Sequence, residues 1–86
     1  MSDQIELTNM SEEIWRAVIA ELEIAGWSLQ IGGGLDFCWA LLSREGMQID
    51  MEYDIWMGGE MIFAVNHASR IKADLSAKVV AELEPW

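Results

Sequence analysis

The stretch Met47-Gln48-Ile49-Asp50-Met51-Glu52-Tyr53-Asp54-Ile55-Trp56-Met57 decides the fold of this chain. Its odd positions are apolar, and its even positions from 50 to 54 carry carboxylates. Because side chains of a β-strand alternate between the two faces of a sheet, this pattern predicts a strand with one apolar and one acidic face. Neighbours on one face lie about 6.6 Å apart. That spacing is close to the separation of phosphates along a nucleic-acid strand, roughly 6–7 Å once winding is added to the axial rise.

Patterns on either side of this strand predict a two-layer domain. Apolar residues recur at helical spacing after Ser11, the predicted N-cap of a first helix, for which Asn9 is the competing cap. They recur again after Asp74, the predicted N-cap of a last helix. Strands are predicted over residues 27–31, 35–42, 47–57 and 60–67, and residues 68–73 as a loop or a frayed extension. Ile5 and Leu7 either form a short N-terminal strand or pack beneath the first helix.

The sequence therefore predicts one α+β domain over residues 1–86, with the order α-β-β-β-β-α. Two helices cover the apolar face of a four-stranded antiparallel meander, and the acidic face stays open. The loop between the second and third predicted strands, Arg44-Glu45-Gly46, determines which residues lie beside the acids. With Gly46 at the left-handed position of a three-residue loop, Ser43 faces Met47. The acidic row then lies beside Ala40, Cys38 and Asp36, and the apolar face receives Leu41, Trp39 and Phe37.

The next hairpin, at Gly58-Gly59, leaves the register of the last strand open between two alternatives. A two-residue loop puts Met61, Phe63 and Val65 beside the acids. A three-residue loop puts Ile62 and Ala64 there, because a slip of one residue exchanges the two faces of a strand. Apolar side chains flank the carboxylates in both cases.

The net charge is −10, from 15 acidic and 5 basic residues. Such an excess opposes binding to nucleic acid or to anionic lipid and favours a basic partner. It also keeps a small chain with 52% hydrophobic residues soluble. The single cysteine, the absence of a run of ~20 apolar residues and the absence of a secretory signal indicate a cytoplasmic protein.

No constellation in the sequence indicates catalysis, a metal or a cofactor. Cys38 and His67 fall on the second and fourth predicted strands, and the meander places the third strand between them. The Asp50-x-Glu52-x-Asp54 spacing resembles part of a calcium loop. However, Ile55 and Met61 stand where that loop needs Gly and Glu. We therefore expect a protein that is not an enzyme and that holds neither metal nor cofactor.

The acidic row is the candidate binding surface. Asp and Glu are poor strand formers, and three in series repel one another. The alternative is the polar, solvated face that antiparallel sheets commonly have. A purely structural face would more often include Lys, Arg and Thr, yet no basic residue lies between Arg44 and Arg70. Trp56 adds an aromatic side chain of the kind found at interface hot spots. The predicted partner-binding residues are Asp36, Glu45, Asp50, Glu52, Asp54, Trp56 and Glu60.

In size, in the row of Asp50, Glu52 and Asp54, in Trp56 and in its few basic residues, the chain resembles the small acidic inhibitors encoded by phages and mobile elements. These include anti-CRISPR proteins and DNA mimics. The resemblance implies stoichiometric, non-catalytic binding to a basic protein or ribonucleoprotein complex, whose nucleic-acid site is blocked. It implies no direct contact with nucleic acid or membrane, and a location in the host cytoplasm.

Two alternatives fit the same sequence. Immunity proteins and antitoxins share this physical description, because nucleases also have basic clefts. The other alternative belongs to a different class: a small accessory domain that forms a homodimer or larger homo-oligomer through its apolar sheet surface.

Overall fold

The computed structural model describes residues 3–84 and 86. In this part of the chain, five strands, three α-helices and one short 3-10 helix follow one another. They are β1 (Gln4–Met10), α1 (Glu12–Ile24), β2 (Ser28–Gly33), β3 (Phe37–Arg44), β4 (Met47–Asp54), β5 (Gly58–Ala64), the 3-10 helix (Val65–His67), α2 (Ala68–Ala73) and α3 (Ala77–Leu83). The α+β class and the antiparallel sheet are confirmed, and the sheet has one strand more than predicted.

The additional strand is β1, which the sequence had left open. The sheet order is β1-β5-β4-β3-β2, so β1 and β2 occupy opposite edges. The helix that joins them must therefore cross the whole sheet. The 13 residues of α1 span about 20 Å at 1.5 Å per residue. Five strands at about 4.8 Å spacing are about 19 Å wide, so the length of α1 matches its path.

The start and end of α1 follow the predicted signals. The Ser11 side chain accepts a hydrogen bond from the Ile14 amide at 3.2 Å, and Glu12 in the first turn pairs with Arg16 at 3.0 Å. At the other end Gly26 has a φ of 109°, a left-handed conformation that a glycine adopts without strain.

Helices and sheet enclose one hydrophobic core on a single face of the sheet. From α1 it contains Trp15, Val18, Ile19 and Leu22, and from the sheet chiefly Leu42, Ile49, Met51, Met61 and Phe63. Ile71, Leu75, Val79 and Leu83 complete it from the C-terminal segment. No polar or charged residue of the described chain is buried, so burial on this face fixes the orientation of β3, β4 and β5.

The predicted register of the β3–β4 hairpin is wrong by one residue. Arg44, rather than Ser43, faces Met47, and the loop consists of Glu45 and Gly46 alone. Both residues have positive φ, 50° and 82°, as a two-residue hairpin turn of this kind requires. Because β3 is apolar on both faces, its pattern could not reveal the slip. Its core face consists of Cys38, Ala40 and Leu42, and its outer face of Phe37, Trp39 and Leu41.

The β4–β5 hairpin follows the second of the two alternatives. Strand β4 ends at Asp54, which faces Gly58, and residues Ile55, Trp56 and Met57 form a three-residue loop. The strand therefore stops three residues before the end of the alternating stretch. Ile62 and Ala64 lie on the side of the acids, and Met61 and Phe63 on the core side.

The segment after β5 differs most from the sequence-based expectation. Residues 68–73, predicted as a loop or strand extension, form α2, and β5 already ends at Ala64. The last helix is capped by Ser76, not by Asp74: its side chain accepts from the Val79 amide at 3.3 Å. Asp74 instead accepts a hydrogen bond from Trp27 Nε1 at 2.9 Å, which ties α2 to the start of β2.

A glycine under Trp15 sets how closely α1 approaches the sheet. A Cβ at Gly59 would lie 2.7 Å from Trp15 Cδ1, and Trp15 is fully buried. We expect Gly59→Ala to lower the free energy of unfolding by roughly 1–3 kcal/mol, because the indole cannot move without displacing the core. Urea denaturation followed by circular dichroism measures this change.

Gly34→Ala is the matched control, since a Cβ there meets no atom within 4 Å. It should leave stability unchanged or raise it by up to about 1 kcal/mol through the unfolded state. Equal effects of the two substitutions would contradict the close approach of α1 to β5.

Candidate binding surface on the open sheet face

The sheet face opposite the helices, here called the open face, combines carboxylates with large apolar side chains. Strand alternation and register place on it five carboxylates and four apolar residues: Glu6, Asp50, Glu52, Asp54 and Glu60 with Phe37, Trp39, Leu41 and Ile62. The corrected β3 register determines which side chains lie beside these carboxylates. It replaces the predicted neighbours of the acids, Ala40, Cys38 and Asp36, by Leu41, Trp39 and Phe37.

The carboxylates form a two-dimensional array rather than a single row. Glu52 on β4 lies directly opposite Glu60 on β5, so two like charges face each other across the strands. Asp50 lies between Leu41 and Ile62, and Ile62 in turn faces Glu6 on the edge strand. Directly opposed like charges destabilise a sheet. The array therefore costs folding free energy.

Trp39 is the largest apolar side chain of the open face. Its ring lies against Gly32 of β2, where a Cβ would come within 2.8 Å of Cζ2. The side chain is nevertheless 40% exposed. Beside it is a shallow depression of about 370 Å³, lined by Trp39, Leu41, Asp50, Glu52, Glu60 and Ile62. The depression thus offers an aromatic wall and three carboxylates to the same incoming group.

The loops at one end of the sheet extend this surface. The Ile55 amide donates to the Asp36 carbonyl oxygen at 3.1 Å, which joins the β2–β3 loop to the β4–β5 loop. Asp54 has a structural role here: its carboxylate accepts from the amides of Trp56 at 2.7 Å and Met57 at 3.3 Å. Trp56 projects from the loop and is 81% exposed. Asp36, Asp54 and Trp56 are therefore grouped at this end of the sheet.

Of the predicted binding residues, Glu45 lies apart from the others. It belongs to the β3–β4 turn at the other end of the sheet, where its carboxylate pairs with Arg70 at 3.2 Å. The sequence analysis missed Glu6, because β1 had not been assigned to the sheet. It also missed Trp39 and Ile62 as neighbours of the acids, although Ile62 belonged to one of the two alternatives for the last strand.

All basic side chains of the described chain lie on the helix side of the sheet or at its far end. Arg44 and Arg70 both approach Asp74, at 3.9 and 3.6 Å, and Arg16 pairs with Glu12 on α1. Lys72 donates to the main-chain oxygen of Trp86 at 2.6 Å, and Lys78 lies on α3. No ion pair therefore reaches the carboxylates of the open face from within residues 3–84 and 86.

Within the described residues, no three His, Cys, Asp or Glu side chains are grouped so that they could hold a metal ion. Cys38 lies near the start of β3, and His67 lies not on a strand, as predicted, but in the 3-10 helix after β5; β4 separates β3 from β5 in the sheet. Cys38 is a half-buried free thiol on the core side, opposite Tyr53.

Comparisons with known proteins add no relative: no family model, no curated protein and no solved structure matches this chain. None of the helices in the described part of the chain has the length and apolar character needed to cross a membrane. The functional interpretation therefore rests on the open face itself.

Reversing one charge on the open face tests whether the carboxylates of the array repel one another. Because Glu60 faces Glu52 directly, we expect Glu60→Lys to raise the free energy of unfolding by about 0.2–1 kcal/mol. The gain should shrink at high salt, which screens exposed charges. Urea titrations at low and high NaCl measure both effects.

A double-mutant cycle supplies the control. In a Glu52→Gln background, Glu60→Lys should bring a smaller gain, because the opposed charge is gone. A gain of the same size in both backgrounds would mean that only the net charge matters, and that the two carboxylates do not interact.

Proposed function

We propose that this protein is a non-catalytic acidic inhibitor that uses its open face to bind a basic nucleic-acid-binding protein or complex, and so blocks the nucleic-acid site. The observation that carries the proposal is the separation of charge. Five carboxylates lie on one face of the sheet, and all basic side chains of the described chain lie elsewhere. Such a surface attracts a basic groove from a distance and speeds encounter with it.

The spacing of the carboxylates supports competition with nucleic acid. Alternate residues of β4 present Asp50, Glu52 and Asp54 about 6.6 Å apart, close to the separation of successive phosphates. Glu60 lies beside this row on β5, and Glu6 lies one strand further out on β1. A groove lined by Arg or Lys at phosphate spacing can therefore pair with several carboxylates at once.

The apolar side chains of the open face support a protein partner. Stable interfaces have a desolvated apolar centre, often with an aromatic residue, and a polar rim. Trp39, Leu41 and Ile62 lie between carboxylates, and Trp56 projects at one end. Contacts of this kind add affinity that charge alone does not supply, and they separate a specific complex from general attraction between opposite charges.

Replacing open-face charges tests the proposal. In the variant Asp50→Asn, Glu52→Gln, Glu60→Gln, Asp54 is retained because it holds the β4–β5 loop. A tagged chain captures its partner from host lysate, and titration calorimetry then gives the affinity. We expect a loss of about 2–5 kcal/mol for a carboxylate paired with a desolvated Arg or Lys. The parent chain should displace labelled nucleic acid from the recovered partner, and the variant should not.

The matched control is Glu13→Gln, Glu23→Gln, Glu82→Gln, which removes three exposed charges from the helices. It has the same net charge as the open-face variant and should bind like the parent. If the open-face variant binds as tightly as the parent at low and high salt alike, the carboxylates form only a solvated surface. If the captured protein is a nuclease whose cleavage is blocked, the immunity-protein alternative takes precedence.

The same proposal predicts that the chain does not itself bind nucleic acid. The acidic excess should prevail over Arg70, Lys72 and Lys78, because each phosphate contact needs a cation. A mobility-shift assay with duplex DNA and with single-stranded RNA at physiological salt should show no complex. Sub-micromolar binding in either assay would contradict the proposal.

A further inference from the structure

The depression on the open face is built from three adjoining strands. Trp39 on β3 faces Glu52 on β4, and Glu52 faces Glu60 on β5, so an indole and two carboxylates line up across the sheet. The neighbouring positions on the same face hold Leu41, Asp50 and Ile62. All six side chains line the depression. One incoming group can therefore touch aromatic, aliphatic and acidic side chains together.

Gly32 holds the aromatic wall to one side of this depression. It faces Trp39 from β2, and a Cβ at Gly32 would lie 2.8 Å from Cζ2 and 2.9 Å from Cε2 of the indole. The ring thus occupies the space above Gly32, on the side away from β4, and keeps 40% of its surface exposed. This position leaves the space above Glu52 free for a ligand that contacts both residues.

The two opposed carboxylates have no cation of their own. In the part of the chain that the structure describes, Glu52 and Glu60 form neither an ion pair nor a side-chain hydrogen bond. Asp50 receives only long contacts from Gln48 Nε2, at 3.4 and 3.5 Å. Because directly opposite residues have Cβ atoms about 4.5–5.5 Å apart, one cation placed between Glu52 and Glu60 contacts both and relieves their repulsion.

We propose that the depression takes an arginine side chain of the basic partner. Its guanidinium plane stacks on the Trp39 indole, and its N–H groups donate to Glu52 and Glu60. Its methylene groups lie against Leu41 and Ile62. The inference rests on the proposed function, since it names the group of the partner that the open face holds.

The lining of the depression distinguishes arginine from lysine. A guanidinium is planar and weakly hydrated, and it has several N–H donors, so it can stack on an aromatic ring while it serves two carboxylates. An ammonium is compact and strongly hydrated, and it gains less from an indole and two aliphatic side chains beside it. Carboxylates alone would accept either cation. Trp39 is therefore the residue that makes the depression selective.

Two blocked peptides of equal charge, acetyl-Gly-Arg-Gly-amide and acetyl-Gly-Lys-Gly-amide, test the proposal on the full chain. Long-range attraction is the same for both, so a difference in affinity reports the contacts in the depression. In titrations followed by heteronuclear NMR, we expect the arginine peptide to bind roughly three to ten times more tightly, as a partly exposed cation–π contact allows. The indole N–H signal of Trp39 and the amide signals of Glu52 and Glu60 should shift together.

Substitutions of Trp39 separate selectivity from general attraction. Trp39→Leu keeps an apolar wall without an aromatic ring, so it should lower the affinity for the arginine peptide to that for the lysine peptide. The affinity for the lysine peptide should change little. Trp39→Phe retains a ring and should keep a preference for arginine. The dispersion of the NMR spectrum shows that each variant remains folded.

Substitutions of the carboxylates act on both peptides. Glu52→Gln combined with Glu60→Gln should weaken the binding of arginine and lysine alike, because it removes the charges that attract either cation. The matched control is Glu13→Gln combined with Glu23→Gln, which removes two exposed charges from α1. It has the same net charge and should keep the preference of the parent for arginine.

Equal affinities of the parent chain for the two peptides overturn the inference, and so does a preference for arginine that Trp39→Leu retains. Either result leaves the proposed function standing if the parent chain displaces nucleic acid from its captured partner and the open-face variant does not. A chain that prefers the arginine peptide but displaces no nucleic acid keeps its arginine site and loses the proposed function. The two failures are thus distinguishable.

Discussion

The two-residue turn at Glu45 and Gly46 is the constraint on which the rest of the structure depends. Both residues adopt positive φ, so that Arg44 faces Met47. Every pair along β3 and β4 follows from that first contact. A loop longer by one residue would turn Trp39 and Leu41 into the core and expose Ala40 and Leu42. The core and the open face are thus fixed together by one short turn.

Charge separation is the second property that organises the molecule. Three of the five basic residues, Arg44, Arg70 and Lys72, are engaged around the C-terminal segment, and Arg16 stays on α1. In these positions they stabilise contacts between helices and sheet without compensating the carboxylates of β4 and β5. The ion pairs of the described chain therefore lie in the helix layer and at the β3–β4 turn, while the open face keeps an uncompensated negative field.

The sequence predicted the structure correctly where a residue pattern is compatible with one arrangement of the chain. It did not do so where the pattern is compatible with two. Alternation through Met47–Asp54 fixed the acidic face of β4, and Ser11 and Gly26 marked the ends of α1. Strand β3 is apolar on both sides, so its register depended on the type of turn that follows it. The residue type of Glu45 does not indicate the positive φ that this turn requires. Residues 68–73 are too short a helix to show periodicity. The position of β1 depends on a partner about 60 positions away, which no local pattern encodes.

The edge-to-edge path of α1 has a consequence for how the chain folds. Strands β2 to β5 pair with neighbours fewer than about 20 positions apart in sequence. Strand β1 meets β5 across about 60 positions, as in the pair Gln4 and Ala64. Closing so long a loop costs more conformational entropy than closing a hairpin. The meander is therefore the natural nucleus, and β1 docks late, once α1 has settled across the sheet.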